Sequence, residues 1–76
     1  MICYRFKTEI GYFWIIPSQT RWHAIFGDEV LGVYTDPEGA AGDLHMGVTD
    51  SLSCGVDISS LDIPYDLAEW EPLKQS

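Results

Sequence analysis

Two cysteines (Cys3, Cys54), two histidines (His23, His45) and twelve carboxylates are the side chains here that could ligate a metal or carry covalent chemistry. Zinc sites draw Cys and His ligands in pairs a few residues apart, and no pair in this chain has that spacing. The stretch Asp50-Ser51-Leu52-Ser53-Cys54-Gly55 superficially resembles the start of a calcium loop. Counting from Asp50, however, the twelfth position, where a bidentate glutamate is required, is Leu61. One covalent arrangement is conceivable: Cys54 as a thiolate nucleophile, His45 as its base, and Asp43 or Asp50 orienting the imidazole. The paired carboxylates Asp28-Glu29 and Glu69-Glu71 read as turn and solvated-face residues, and no metal and no cofactor is expected.

What must hold these side chains is a chain of 76 residues, 46% hydrophobic and 13% aromatic. That length allows one hydrophobic core, hence a single domain over 1–76, and the apolar share is enough to offset the entropy of ordering it. Two irregularly placed cysteines are no disulfide framework, and free buried thiols are expected. The start of the chain lacks the basic, then apolar, then small-residue order of a secretion signal, and no apolar run approaches the ~20 residues that span a bilayer. A cytoplasmic location without membrane association is the resulting expectation. Net charge is −8, which opposes binding to nucleic acid. The charge is also uneven: Arg5, Lys7 and Arg21 face only Glu9 up to residue 26, whereas residues 27–76 hold eleven acids against Lys74.

Ile2 to Glu9 alternate with period two, Ile2, Tyr4, Phe6 and Thr8 on one face and Cys3, Arg5, Lys7 and Glu9 on the other, which predicts a half-buried strand. Gly11 marks a turn into Tyr12–Ile16, apolar on both faces and so predicted as a central strand covered on each side, ended by Pro17. Arg21–Phe26 and Glu29–Tyr34 form a hairpin about Gly27-Asp28, with Phe26 opposite Glu29, Ile25 opposite Val30, Ala24 opposite Leu31, His23 opposite Gly32 and Trp22 opposite Val33. His23 would then cover the bare backbone of Gly32. A helix begins at Asp36-Pro37-Glu38, cap, fixed φ and acid in the first turn, and runs through Ala40, Ala41 and Leu44 to a stop at Gly47. Gly39 and Gly42 would bring that helix close to the sheet.

From Val48 to Ile63 an ordered surface loop is predicted, anchored by Leu52, Val56, Ile58 and Leu61, with a short strand near Gly55 to Ile58. Asp66 caps a short helical turn that carries Trp70 into the core. The fold class is therefore α+β: an antiparallel meander of three to four strands, one main helix packed on it, and a C-terminal helical turn.

The stretch Trp22 to Ala41, with Leu31-Gly32, Tyr34, Asp36-Pro37-Glu38 and Ala40-Ala41, followed by Pro64, Asp66-Leu67 and Glu69-Trp70, resembles a family of short bacterial proteins of unknown function. The resemblance covers about two thirds of the chain and departs from the family at Gly39 and Gly42. It implies a bacterial, cytosolic, single-domain protein and brings no activity with it.

Aromatic residues offer the other lead. Tyr12-Phe13-Trp14 cannot send all three rings inward, because neighbouring strand residues face opposite sides. Either the helix and tail cover both faces of the sheet, or one ring of the pair Phe13 and Trp14 is exposed as a contact surface. Phe13, Trp14, Trp22 and Trp70 are the candidate partner-contact residues. Two functions follow: a protein-interaction module without catalysis, for a protein partner or a second copy in a homodimer, that pairs through a strand edge or an aromatic patch with its acidic half steering a basic partner surface, or a small accessory enzyme or ligand binder using Cys54, His45 and nearby acids.

Overall fold

Alternation builds the first strand as expected: in the computed structural model, which describes residues 2–74, β1 is Ile2–Thr8 and turns Tyr4, Phe6 and Thr8 toward the covered side. β2 is Gly11–Ser18, β3 Arg21–Phe26 and β4 Glu29–Tyr34, and successive strands pair antiparallel. A fifth strand, β5 at Glu71–Lys74, returns to pair antiparallel with the free side of β1, giving the order β4-β3-β2-β1-β5. The sheet therefore has five strands, not three to four. Four residues with alternation interrupted by Pro72 carry almost no strand signal of their own; β5 forms because Trp70, buried just before it, delivers the chain to the β1 edge.

Pro17 does not end β2. Ser18 and Arg21 flank a two-residue turn and so form a hydrogen-bonded pair, which leaves Pro17, opposite Trp22, with its nitrogen turned toward β1. The β1 pairing stops at Tyr4 opposite Ile15, so no ladder bond is lost there.

The β3–β4 register departs from expectation after two pairs. Phe26 faces Glu29 and Ile25 faces Val30, but a β-bulge at Leu31 then puts Gly32 opposite Ala24, Val33 opposite His23 and Tyr34 opposite Trp22. The ring that lies over Gly32 is accordingly that of Tyr34, not His23: a Cβ on Gly32 would sit 2.8 Å from it. The slip by one residue also exchanges faces, sending Tyr34 inward and Val33 outward.

The helix α1, Pro37–Met46, starts at an Asp36 cap whose carboxylate accepts from the Gly39 N–H at 2.6 Å, and ends at Gly47 in the left-handed region. Ala40, Ala41 and Leu44 pack beneath it with Phe13, Ile15, Ala24 and Leu31. The two helical glycines do not face the sheet. Gly39 leaves room for the Asp36 carboxylate, and Gly42 for the Tyr65 ring.

No strand forms near Gly55 to Ile58; the chain there is irregular up to a 3₁₀ turn, Ile58–Leu61, capped by Asp57, which seats Ile58 and Leu61 in the core with Leu52 and Ile63. A second 3₁₀ turn, Leu67–Glu69, capped by Asp66, leads to Trp70, whose ring lies 5.8 Å from Phe6 and whose indole N–H donates to the Pro64 carbonyl at 3.1 Å. Every one of these elements lies on the same face of the sheet.

Gly47 has φ +70° and a Cβ there would meet the Ser59 backbone nitrogen at 2.9 Å, whereas Gly55, at φ +81°, has open space around it. Gly55→Ala is expected to cost about 1–2 kcal/mol from left-handed strain alone, and Gly47→Ala clearly more, because the Ser59 main chain must also move. Urea denaturation of the two variants measures the difference.

Candidate functional site

Strand parity leaves the opposite face to Arg5 and Lys7 of β1, Tyr12, Trp14 and Ile16 of β2, Arg21, His23 and Ile25 of β3, Val30 and Val33 of β4, and Glu71 and Leu73 of β5. No element among the described residues packs on it. Val30 is 51% exposed, Val33 49% and Tyr12 37%, an unusual state for large apolar side chains grouped on one surface. β2 is apolar on both sides and central in the sheet, as predicted, but it is covered on one side only.

Arg5 organises the middle of this face. Its guanidinium stands 4.6 Å from the centre of the Tyr12 ring and 5.7 Å from that of Trp14, and its Nε donates to the Glu71 carboxylate across the β1–β5 pair at 2.6 Å. That hydrogen bond raises the Arg5 pKa and holds the Glu71 carboxyl below the ordinary range. Tyr12 and Trp14, two residues apart on one strand, tilt toward each other with ring centres 6.2 Å apart. Cys3, also of this parity, is buried. Cys54, by contrast, is exposed, not the buried thiol expected.

The four residues singled out from sequence fall in three places. Trp14 is on the open face. Phe13 is fully buried against Phe26, with ring centres 4.7 Å apart, and Trp70 is buried as a plug, so neither offers a partner any surface. Trp22 is half-buried on the covered side against Tyr4, ring centres 6.1 Å apart. Sequence reading missed Val30, Val33, Ile25 and Arg5 as members of one surface. An isolated glycine inside a strand is the usual mark of a bulge, and Gly32 was the signal that could have placed Val33 outward.

Both sheet edges are blunted. β5 carries Pro72, which removes a donor from its ladder. Beside β4, the Asp50 N–H donates to the Leu31 carbonyl at 3.0 Å, and the Glu29 carboxylate accepts from the Ser53 N–H at 3.1 Å and its hydroxyl at 2.9 Å.

The residues of the covalent reading are engaged elsewhere. His45 Nδ1 donates to the Ile63 carbonyl at 2.8 Å, and its ring meets Tyr65 edge-on, which fastens the helix to the segment after the 3₁₀ turn. Burial first, and the Asp43 carboxylate second, push the Tyr34 phenol up to about 12. Among the described residues no three His, Cys, Asp or Glu side chains are grouped to hold a metal ion, and no helix is long and apolar enough to cross a membrane.

The class this geometry defines is an α+β protein with a five-stranded antiparallel sheet covered on one face and open on the other. Compared with family models, curated proteins and solved structures, the chain matches none of them.

Two measurements check the placement of these groups. With a chromogenic disulfide reagent, the native protein is expected to show one fast thiol, Cys54, and to yield Cys3 only on denaturation. Tyr34, neutral when protonated, has a folded pKa above its ordinary value of 10.0, so its contribution to stability is complete below that pH and is lost as pH rises toward about 12. Denaturation midpoints should therefore fall across that window, and less steeply in Tyr34→Phe.

Proposed function

We propose that this protein is an interaction module that binds a protein partner through the open sheet face, centred on Trp14 with Tyr12, Ile25, Val30 and Val33. The observation that carries the reading is the grouping of these side chains on a surface that no part of the described chain covers. A small soluble domain gains by burying such groups, at about 25 cal/mol per Å² of apolar area, and leaving them out has a cost in solubility that a binding role would justify. Pairing through a strand edge is less well supported, since Pro72 blocks one edge and residues 50–53 bond along the other.

The platform is already rigid. Trp14 is braced by Tyr12 and Arg5, and the strands beneath it are held by the core on the other side, so little ordering entropy is lost on binding. The accessory-enzyme reading built on Cys54 and His45 gains no specific support from the His45–Ile63 contact.

Trp14→Ala and Val33→Lys alter the face without touching the core. Both variants are expected to keep the wild-type circular dichroism spectrum and to lose a partner that wild type retains in affinity capture from its native host. A partner retained equally by wild type and both folded variants would sink the reading.

A further inference from the structure

Charge is divided between the two sides of the molecule. Three of the four Lys and Arg residues, Arg5, Lys7 and Arg21, lie on the open face, where Glu71 is the one carboxylate of the strands, while eight of the twelve acids fall within residues 36–69 on the covered side. Lys7 and Arg21 are exposed and make no ion pair within 4.0 Å, Arg5–Glu71 being the one such pair among the described residues. A chain of net charge −8 thus presents a cationic, aromatic surface. Most of its acids belong to the covering layer, with the sheet between them and the open face, and charges more than ~8 Å apart are largely screened in physiological salt.

Resting on the open-face reading above, we infer that the occupant of this face is an extended acidic segment of a partner protein, its apolar side chains on Trp14, Ile25, Val30 and Val33 and its carboxylates on Lys7 and Arg21. Charge complementarity selects the acid. Size selects the segment: five strands about 4.8 Å apart and roughly six residues long at ~3.3 Å each make a platform of about 480 Å², well below the ~800 Å² per partner of a standard interface between globular surfaces. A second copy docked face to face would fall short of that area too, and would set Lys7 and Arg21 against their own counterparts. A nucleic acid strand could stack on Tyr12 and Trp14, but two unpaired cations give it little phosphate neutralisation, and Val30 and Val33 would stay unused.

The test titrates the full-length protein, observed by two-dimensional NMR, with a short peptide in which glutamates flank a Phe-Leu pair, with its counterpart carrying lysine for each glutamate, and with oligothymidylate. Sedimentation of the protein alone reports self-association. The acidic peptide is expected to shift amide signals of β1 to β4, to bind more weakly as salt rises, and to lose about tenfold in affinity in the double variant Lys7→Glu, Arg21→Glu. Circular dichroism confirms that this variant is folded. Equal binding of the lysine peptide, or tighter binding of oligothymidylate, overturns the acidic assignment while leaving the face as the binding surface. Self-association that Trp14→Ala abolishes does the same, with a second copy as the occupant. Absence of any binding at the face, together with a partner indifferent to Trp14→Ala, overturns the function reading itself.

Discussion

One helix and one irregular segment can cover only one face of a five-stranded sheet, and everything else in this protein follows from that shortage. Ala40, Ala41 and Leu44 of α1, with Leu52, Ile58, Leu61, Ile63 and Trp70, close over Phe13, Ile15 and Ala24. A small chain has proportionally little interior, and here it spends all of its covering residues on one side. The other face is left to solvent with its aromatic and branched side chains in place.

The covering layer is held by local hydrogen bonds more than by its length. Asp36, Asp57 and Asp66 each accept from a backbone N–H at the start of a helix or turn. His45 and Trp70 each donate from a ring to a main-chain carbonyl, of Ile63 and Pro64 respectively. These two rings grip neighbouring residues, so the segment after the 3₁₀ turn is fixed between the helix and the β1 side of the sheet. That explains why a stretch so poor in apolar residues is ordered, and why the acids of this half sit where they do: several are caps, facing outward from a layer whose inner surface is apolar.

The division of charge has the same origin. Alternation in β1 and β3 sends Arg5, Lys7 and Arg21 away from the core, while the acids concentrate in the connecting segments that form the covering layer. The outcome is a molecule whose net charge misdescribes the surface it leaves open. Composition pointed away from anionic partners, and toward a basic one, yet the open face itself carries three cations beside Tyr12 and Trp14.

Much of this was legible in the residues themselves. Period-two alternation, the Gly27-Asp28 turn, the Asp36-Pro37 start and the Gly47 stop are local features, settled by backbone sterics and hydrogen bonding within a few positions, and they set four strands and the helix. That Phe13 and Trp14 must point opposite ways was equally local; which of them faced a covering layer was not. The register after Leu31, the path of Pro17 within β2, the fifth strand, and the burial of Phe13 against the exposure of Val33 all depend on contacts between distant parts of the chain. Strand pairing and burial are properties of two surfaces meeting, and a sequence read along its length names each surface without saying which other one it meets.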